Sequence, residues 1–358
     1  MIDQKPGLFG LANSNRDFAQ KDTWGKNQFN SSFPAALSVY LSSKGLDNVY
    51  LYLNSQLKVE QGYVTTAELY GISPFAEDLF YAFESPYMPY LQLLIGNMPR
   101  VDLVTQRKSD GQALRPIEIK LTALPDNTTC ELSEDKFGTE IVIRPDTIVY
   151  LACSIVQNFK DNSQLLNDLI GDEFDKISDW TDGRSVWTYI PKMIQAIDKV
   201  ILTVIHKQEP LLMQPIWKTE GKSPILSKNC LDIFVWSNFA FVQLFLDVAR
   251  GELKSGENKI TRQVRTIIWL FKMLLDFSRN GQINHTKIID ELSYNTKNDK
   301  AFAVSGRITH PYMTCDELTT PRITKDEIRN IIVGGGHNLL SPERRFDAII
   351  YNSPELFK

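Results

Sequence analysis

With 358 residues, 43% of them hydrophobic and 23% charged, the chain has the composition of a globular protein, and disorder, collagen and coiled coil are excluded. At about 150 residues per domain, that length suggests two domains, with one large integrated domain as the alternative. Lysine and arginine number 39 against 43 aspartates and glutamates, so a net charge of −4 rules out coating nucleic acid or a membrane by bulk charge.

The first thirty residues are polar and rich in Asn, Lys and Arg, with no period of 2 or 3.6, and read as a loop or arm. Ser31 or Ser32 can cap a helix running to about Lys44, with Phe33, Leu37, Tyr40 and Leu41 on one face and Gly45 as its stop. Val49 to Leu53 reads as a short strand. Ser73-Pro74 predicts a second helix, with Glu77 and Asp78 near its positive end and Phe75, Leu79, Phe80 and Phe83 at helical spacing. Arg100–Gln106 and Arg115–Thr122 alternate as strands around a Lys108–Gly111 turn, and Thr139–Arg144 is a third strand candidate. Thr147–Phe159 is a buried helix or strand. The polar, acidic stretch from Asn162 to Asp182 is the expected domain seam, which divides the chain into 1–165 and 166–358. Three long helices are expected at Val186–Ile205, Leu231–Arg250 and Ile260–Arg279, before a basic tail with Gly334-Gly-Gly-His337 and Arg344-Arg345.

Four scattered cysteines (Cys130, Cys153, Cys230, Cys315) form no CxxC pair and read as thiols of a reduced compartment. The N-terminus carries no apolar leader. The most apolar segments, Ile225–Ala249 and Ile267–Phe277, are interrupted by polar residues and fall short of the roughly 18 apolar residues of a membrane span. The expectation is a soluble, cytoplasmic protein.

Chemistry concentrates at Pro99-Arg-Val-Asp102, followed sixteen residues later by Glu118-Ile-Lys120. Residues i and i+2 of a strand share a face, so Glu118 and Lys120 project together. With Asp102 on the neighbouring strand, two carboxylates offer hard oxygen ligands to Mg²⁺, and the lysine is placed to stabilise charge on a phosphate. Glu-x-Lys also occurs at Glu134, Glu220, Glu252 and Glu257, but there in polar or turn-like surroundings. Only Glu118 lies in an apolar strand, between Ile117 and Ile119. The same residues could instead be an ordinary solvent-facing strand edge with a cross-strand pair. Register sharpens the choice. A two-residue turn at Asp110-Gly111 would pair residue 102 with 119 and put the two acids on opposite faces. The site therefore requires an odd loop or a bulge, for which Pro116 is a natural position.

These residues resemble the PD-(D/E)xK nuclease motif, with Arg100-Val101 separating the proline from its aspartate. The strings Leu8–Phe18, Trp24–Pro34 and Ile117–Asp126 are similar to the HindVP-type family of type II restriction endonucleases over nearly the whole chain. The resemblance implies an α/β (α+β) fold, a restriction-endonuclease-like core whose mixed sheet is flanked by helices, with a largely helical C-terminal half. It further implies a Mg²⁺-dependent homodimer that cuts double-stranded DNA at a short palindrome similar to GRCGYC. A DNA methyltransferase would be its genetic partner. Members of the superfamily often add an acid from a preceding helix, which makes Glu77 the first choice here and Glu84 the second.

Asn13, Asn15, Arg16, Lys26, Asn27 and Gln28 of the arm are residue types that read base edges, and Arg344 and Arg345 can neutralise phosphates. Gly221-Lys222-Ser223 lacks the first glycine of a P-loop, and the four histidines form no zinc or triad pattern. Two other readings stay open: a structure-selective or repair nuclease on the same core, and a non-catalytic DNA-binding protein.

Overall fold

The computed structural model describes residues 14, 35, 37–123, 140–214, 217–220, 223–226, 230–235, 238–254, 260–294 and 302–305. The chain opens with a helix at 37–43 (α1), which Gly45 ends at φ +70°, where Leu46 N–H closes back on the Leu41 carbonyl. A hairpin follows, β1 (Asn48–Leu53) with β2 (Val59–Val64). Thr65 and Glu68 then form a reciprocal capping box that starts α2 (Thr66–Tyr70). Gly71, at φ +74°, stops it.

The helix expected at Ser73 is absent. Residues 71–78 are turns, and Leu79–Pro86 is a strand, β3, paired with β4 (Arg100–Arg107). Leu79, Tyr81 and Phe83 point into one apolar cluster, while Ala82 points into another on the opposite face. A strand buried on both sides reads as a continuous apolar run, which hides its period of two.

The remaining strands are β5 (Ala113–Ala123), β6 (Glu140–Ile143), β7 (Leu211–Gln214), β8 (Trp217–Glu220), β9 (Ser223–Leu226), β10 (Cys230–Val235) and β11 (Phe302–Ser305). The further helices are α3 (Pro145–Val156), α4 (Ser163–Ile170), α5 (Gly183–Trp187), α6 (Ile190–Val204), α7 (Phe239–Lys254), α8 (Arg262–Asn280) and α9 (His285–Glu291). Two expected helices are revised. The one at 186–205 breaks into α5 and α6, with Pro191 in the first turn of α6. The one at 231–250 begins as strand β10, and the buried Asn238 caps the real helix by accepting the Phe241 N–H.

Seven strands form one sheet in the order β2-β1-β7-β10-β5-β4-β3. Every described ladder is antiparallel, so the mixed character expected of the sheet is confined to two isolated parallel bridges, Ser14–Tyr81 and Leu94–Ile283. Helices α1 and α2 cover one face through Val39, Leu69 and Tyr70. On the other face, α3, α4, α6, α7 and α8 build the larger apolar cluster. That cluster draws on residues either side of 165, and Leu166, Ile170, Phe174 and Ile177 of the polar stretch 162–182 belong to it. The α/β class, with flanking helices and a helical C-terminal half, is consistent with a restriction-endonuclease-like core. Among the described residues, no helix is long and apolar enough to cross a membrane.

Candidate active site

The register of β4 against β5 is set by a bulge. Near the turn, Arg107 N–H bonds the Gln112 carbonyl and Gln106 pairs with Ala113, which leaves a four-residue loop at 108–111. Continued unbroken, that register would bring Asp102 opposite Ile117. Instead it shifts between Thr105 and Gln106, so that Thr105 pairs with Arg115 and Leu103 with Ile117. Leu114 is the extra residue. The irregularity lies there, two residues before Pro116, which pairs regularly with Val104. Tyr87 Oη donates to the Leu114 carbonyl at 3.3 Å. The shifted register sets Asp102 opposite Glu118, on the same face of the sheet.

The β4–β5 ladder closes at Leu103–Ile117, and there the two strands part. β4 stays with β3, through Val101–Ser85 and Arg100–Pro86, while β5 stays with β10, through Glu118–Val235 and Lys120–Ile233. Backbone N–H groups at such a fork need new acceptors. The two acids supply them. Ile119 N–H donates to Asp102 Oδ2 at 2.8 Å, and Asp102 N–H points at Glu118 Oε2 at 3.4 Å. Glu118 is only 8% exposed, although it is ionisable. Its other oxygen, Oε1, accepts the hydroxyl of Thr147 from α3 at 3.1 Å.

Helix α3 packs over β4 and reaches the fork a second time. Tyr150 Oη accepts the Tyr87 N–H at 3.0 Å and donates to the Pro99 carbonyl at 2.9 Å, so one hydroxyl ties the end of β3 to the approach of β4. Burial pushes the Tyr150 hydroxyl pKa upward, and the nearby Cys153, Glu118 and Asp146 add to the rise. Asp146 also faces buried His285 at the start of α9, whose pKa burial lowers and Asp146 partly restores.

Two carboxylates opposite one another on adjacent strands repel unless something cationic lies between them. Each carboxylate has about four lone-pair sites, more than these hydrogen bonds use. Among the described residues no group of three or more His, Cys, Asp and Glu could hold a metal ion. A pair of carboxylates suits a hard cation that keeps several waters, as Mg²⁺ does, and not a cage of protein ligands alone.

The other expected site residues are distributed unevenly. Lys120 lies two residues beyond Glu118 on β5, opposite Ile233. Glu77 is exposed in the turn before β3, beside the far end of β4, roughly 17 Å of extended strand from Asp102, and is not brought to the fork. Glu84 is different. The β3–β4 register passes from Phe83–Leu103 to Ser85–Val101 and sets Glu84 opposite Asp102, exposed and at φ +48°. Asn13, Asn15, Arg16, Lys26, Asn27, Gln28, Arg344 and Arg345 lie outside the described residues. Their neighbour Ser14 bridges to Tyr81 of edge strand β3. Thr147, Tyr150 and Tyr87 are not among the site residues expected from the sequence. Their signal is polar Thr147 and Tyr150 three apart in the apolar run Ile148-Val149-Leu151-Ala152, where buried polar groups need partners.

The profile of the HindVP restriction endonuclease family matches residues 24–357. The chain belongs to that family. It is 46% identical over 354 residues to the type II restriction enzyme HgiDI of Herpetosiphon aurantiacus, covering 99% of this chain and 98% of that one. It is 47% identical over 355 residues to the probable type II restriction enzyme HindVP of Haemophilus influenzae, covering 99% and 96%. No solved structure matches. As a HindVP-family member the chain is a type II restriction endonuclease, a hydrolase that cleaves DNA at specific sites, which sets aside the non-catalytic reading.

Proposed function

We propose that this HindVP-family enzyme cuts both strands of a short palindrome similar to GRCGYC, with Asp102 and Glu118 holding Mg²⁺ at the mouth of the β4–β5 fork. The observation that carries the reading is the one-residue bulge that sets the two acids opposite each other where the strands separate. When bound, the cation would polarise a phosphate oxygen and lower the pKa of its own water. Lys120 stabilises negative charge as it develops on the phosphate. Glu84 takes the assisting role for which Glu77 is the first choice on sequence alone. Asn13, Asn15, Arg16, Lys26, Asn27 and Gln28 read bases, and Arg344 and Arg345 neutralise phosphates. The enzyme acts as a homodimer, because a palindrome read by one chain per half-site calls for a two-fold axis. It works in the cytoplasm beside a cognate DNA methyltransferase.

Digestion of a sequenced phage genome, with mapping of the fragment ends, tests the reading. Discrete ends within one palindromic sequence are expected, and a smear or junction-only cutting would favour the structure-selective alternative. Asp102→Ala, Glu118→Ala and Lys120→Ala should each abolish cleavage while specific DNA binding persists. Near wild-type cutting by any one of them removes that residue from the site. Calcium should support binding without cutting.

A further inference from the structure

Thr147 is the third residue of α3, where the helix has not yet closed its own hydrogen-bond ladder, and its N–H returns to the Arg144 carbonyl at 3.0 Å. Its side chain is only 2% exposed. A buried threonine hydroxyl in a helix commonly bonds a carbonyl one turn back. This one crosses to another element and donates to Glu118 Oε1 at 3.1 Å, while Glu118 Oε2 faces the Asp102 N–H at 3.4 Å. The carboxylate is thus gripped at one oxygen by a helix and directed at the other toward β4. A glutamate side chain gives up rotamer freedom when fixed in this way. If that ordering is complete before a cation arrives, binding the cation does not have to supply it.

Resting on the reading of Glu118 as a metal ligand, we propose that Thr147 is a positioning residue. Its hydroxyl fixes Glu118 in the orientation that meets Asp102, and so raises the affinity of the acid pair for a divalent cation. Partners that orient metal ligands in this way are commonly worth about 10–100-fold in metal affinity or activity.

The test uses full-length Thr147→Val, Thr147→Ser and Glu118→Gln, with Thr147→Ala in reserve if valine crowds the site and the metal-free protein melts early. Two quantities are read: the Mg²⁺ concentration giving half-maximal cleavage, and the midpoint of Ca²⁺ binding without DNA, measured by isothermal titration calorimetry. Thr147→Val should raise both about tenfold. Its metal-free Tm should fall by only about 3 °C, as for the loss of one buried hydrogen bond, and Thr147→Ser should restore both concentrations. A merely structural role would lower the metal-free Tm in the same way but leave the calcium midpoint unmoved. A folded Thr147→Val with wild-type midpoints overturns the proposal, as does a Thr147→Ser that behaves like valine. If Glu118→Gln itself keeps the wild-type calcium midpoint, the ligand reading of Glu118 fails and the role of Thr147 falls with it. An altered Glu118→Gln beside an unaltered Thr147→Val refutes the positioning role alone.

Discussion

Tyr150→Phe isolates what one hydroxyl contributes to the fork. The ring keeps its packing against Tyr90, with centroids 6.1 Å apart, but the Tyr87 N–H and the Pro99 carbonyl are each deprived of their Tyr150 partner. A buried polar group left unsatisfied costs about 1–3 kcal/mol. Both partners are partly reached by water, so a total of roughly 2 kcal/mol is reasonable. With an unfolding entropy of about 2.1 cal/mol/K per residue, that loss lowers the Tm of a chain of this length by about 3 °C. Pro99 lies three residues before Asp102, so the loosened strand should also misplace the acid and slow cleavage about tenfold.

Alkaline pH gives a second, independent readout. Burial raises the folded-state pKa of Tyr150 above its ordinary value of 10.0, so above pH 10 the unfolded chain releases this proton while the folded chain keeps it. Stability from this group is therefore complete below pH 10 and declines as pH rises, at up to about 1.4 kcal/mol per pH unit. Denaturant titrations of wild type and Tyr150→Phe between pH 9 and 11 should show the shallower decline in the variant. A variant with wild-type Tm, alkaline slope and cleavage rate would refute the idea that this hydroxyl holds the strand ends.

Glu84→Gln should slow plasmid cleavage at least about tenfold while Glu77→Gln stays near wild type; slow cutting by Glu77→Gln alone would return the assisting role to the turn before β3. Glu84→Gly should relieve the φ +48° backbone and stabilise the fold by up to about 1 kcal/mol in urea titrations, while still cutting poorly. Gly71→Ala combines φ +74° with a new Cβ placed 3.2 Å from Leu114 Cβ, so it should destabilise by about 1–2 kcal/mol and slow cleavage by disturbing the bulge; wild-type stability and rate would contradict this. Neutralising Arg16 and Lys26 together should reduce the salt slope of DNA binding by roughly 0.9 for each phosphate that a subunit no longer neutralises, and an unchanged slope would assign the arm to scaffold.

What can be read from the sequence is local. Alternation marks β4 and β5, glycine marks the end of α1, and turn chemistry at Lys108–Gly111 marks the hairpin. Elements defined by burial on both faces escape such reading: β3 looks helical because neighbours above and below the sheet mask its alternation. The difference at β3 bears on the choice of assisting acid. On the expected helix Glu77 and Glu84 both lie just before the hairpin, and the strand instead sets Glu84 opposite Asp102. Arithmetic on an ideal turn requires an irregularity in the hairpin but cannot locate it, because Leu114 is held as the extra residue by groups distant in sequence. The Tyr87 hydroxyl takes its carbonyl, and Gly71 leaves room for its side chain.

The opening between β4 and β5 therefore depends on both faces of the sheet at once. On the α2 side, Gly71 admits the bulge, and Thr105 Oγ1 donates to the Tyr70 carbonyl at 2.8 Å, which holds β4 just before the register shifts. On the α3 side, Thr147 and Tyr150 hold the two strands where they separate. A long antiparallel ladder left to itself would stay closed and continue its pairing past Leu103 and Ile117, with the Ile119 N–H bonded to the backbone of β4. Exchanging those backbone bonds for carboxylate bonds gives up ladder continuity at one register position, and keeps two acids adjacent at a point where a phosphate could approach. Stability alone would favour a hydrophobic pair at 102 and 118, as at the neighbouring Leu103 and Ile117. The acids at that single position are the part of the hairpin that folding does not explain and the proposed phosphodiester chemistry would.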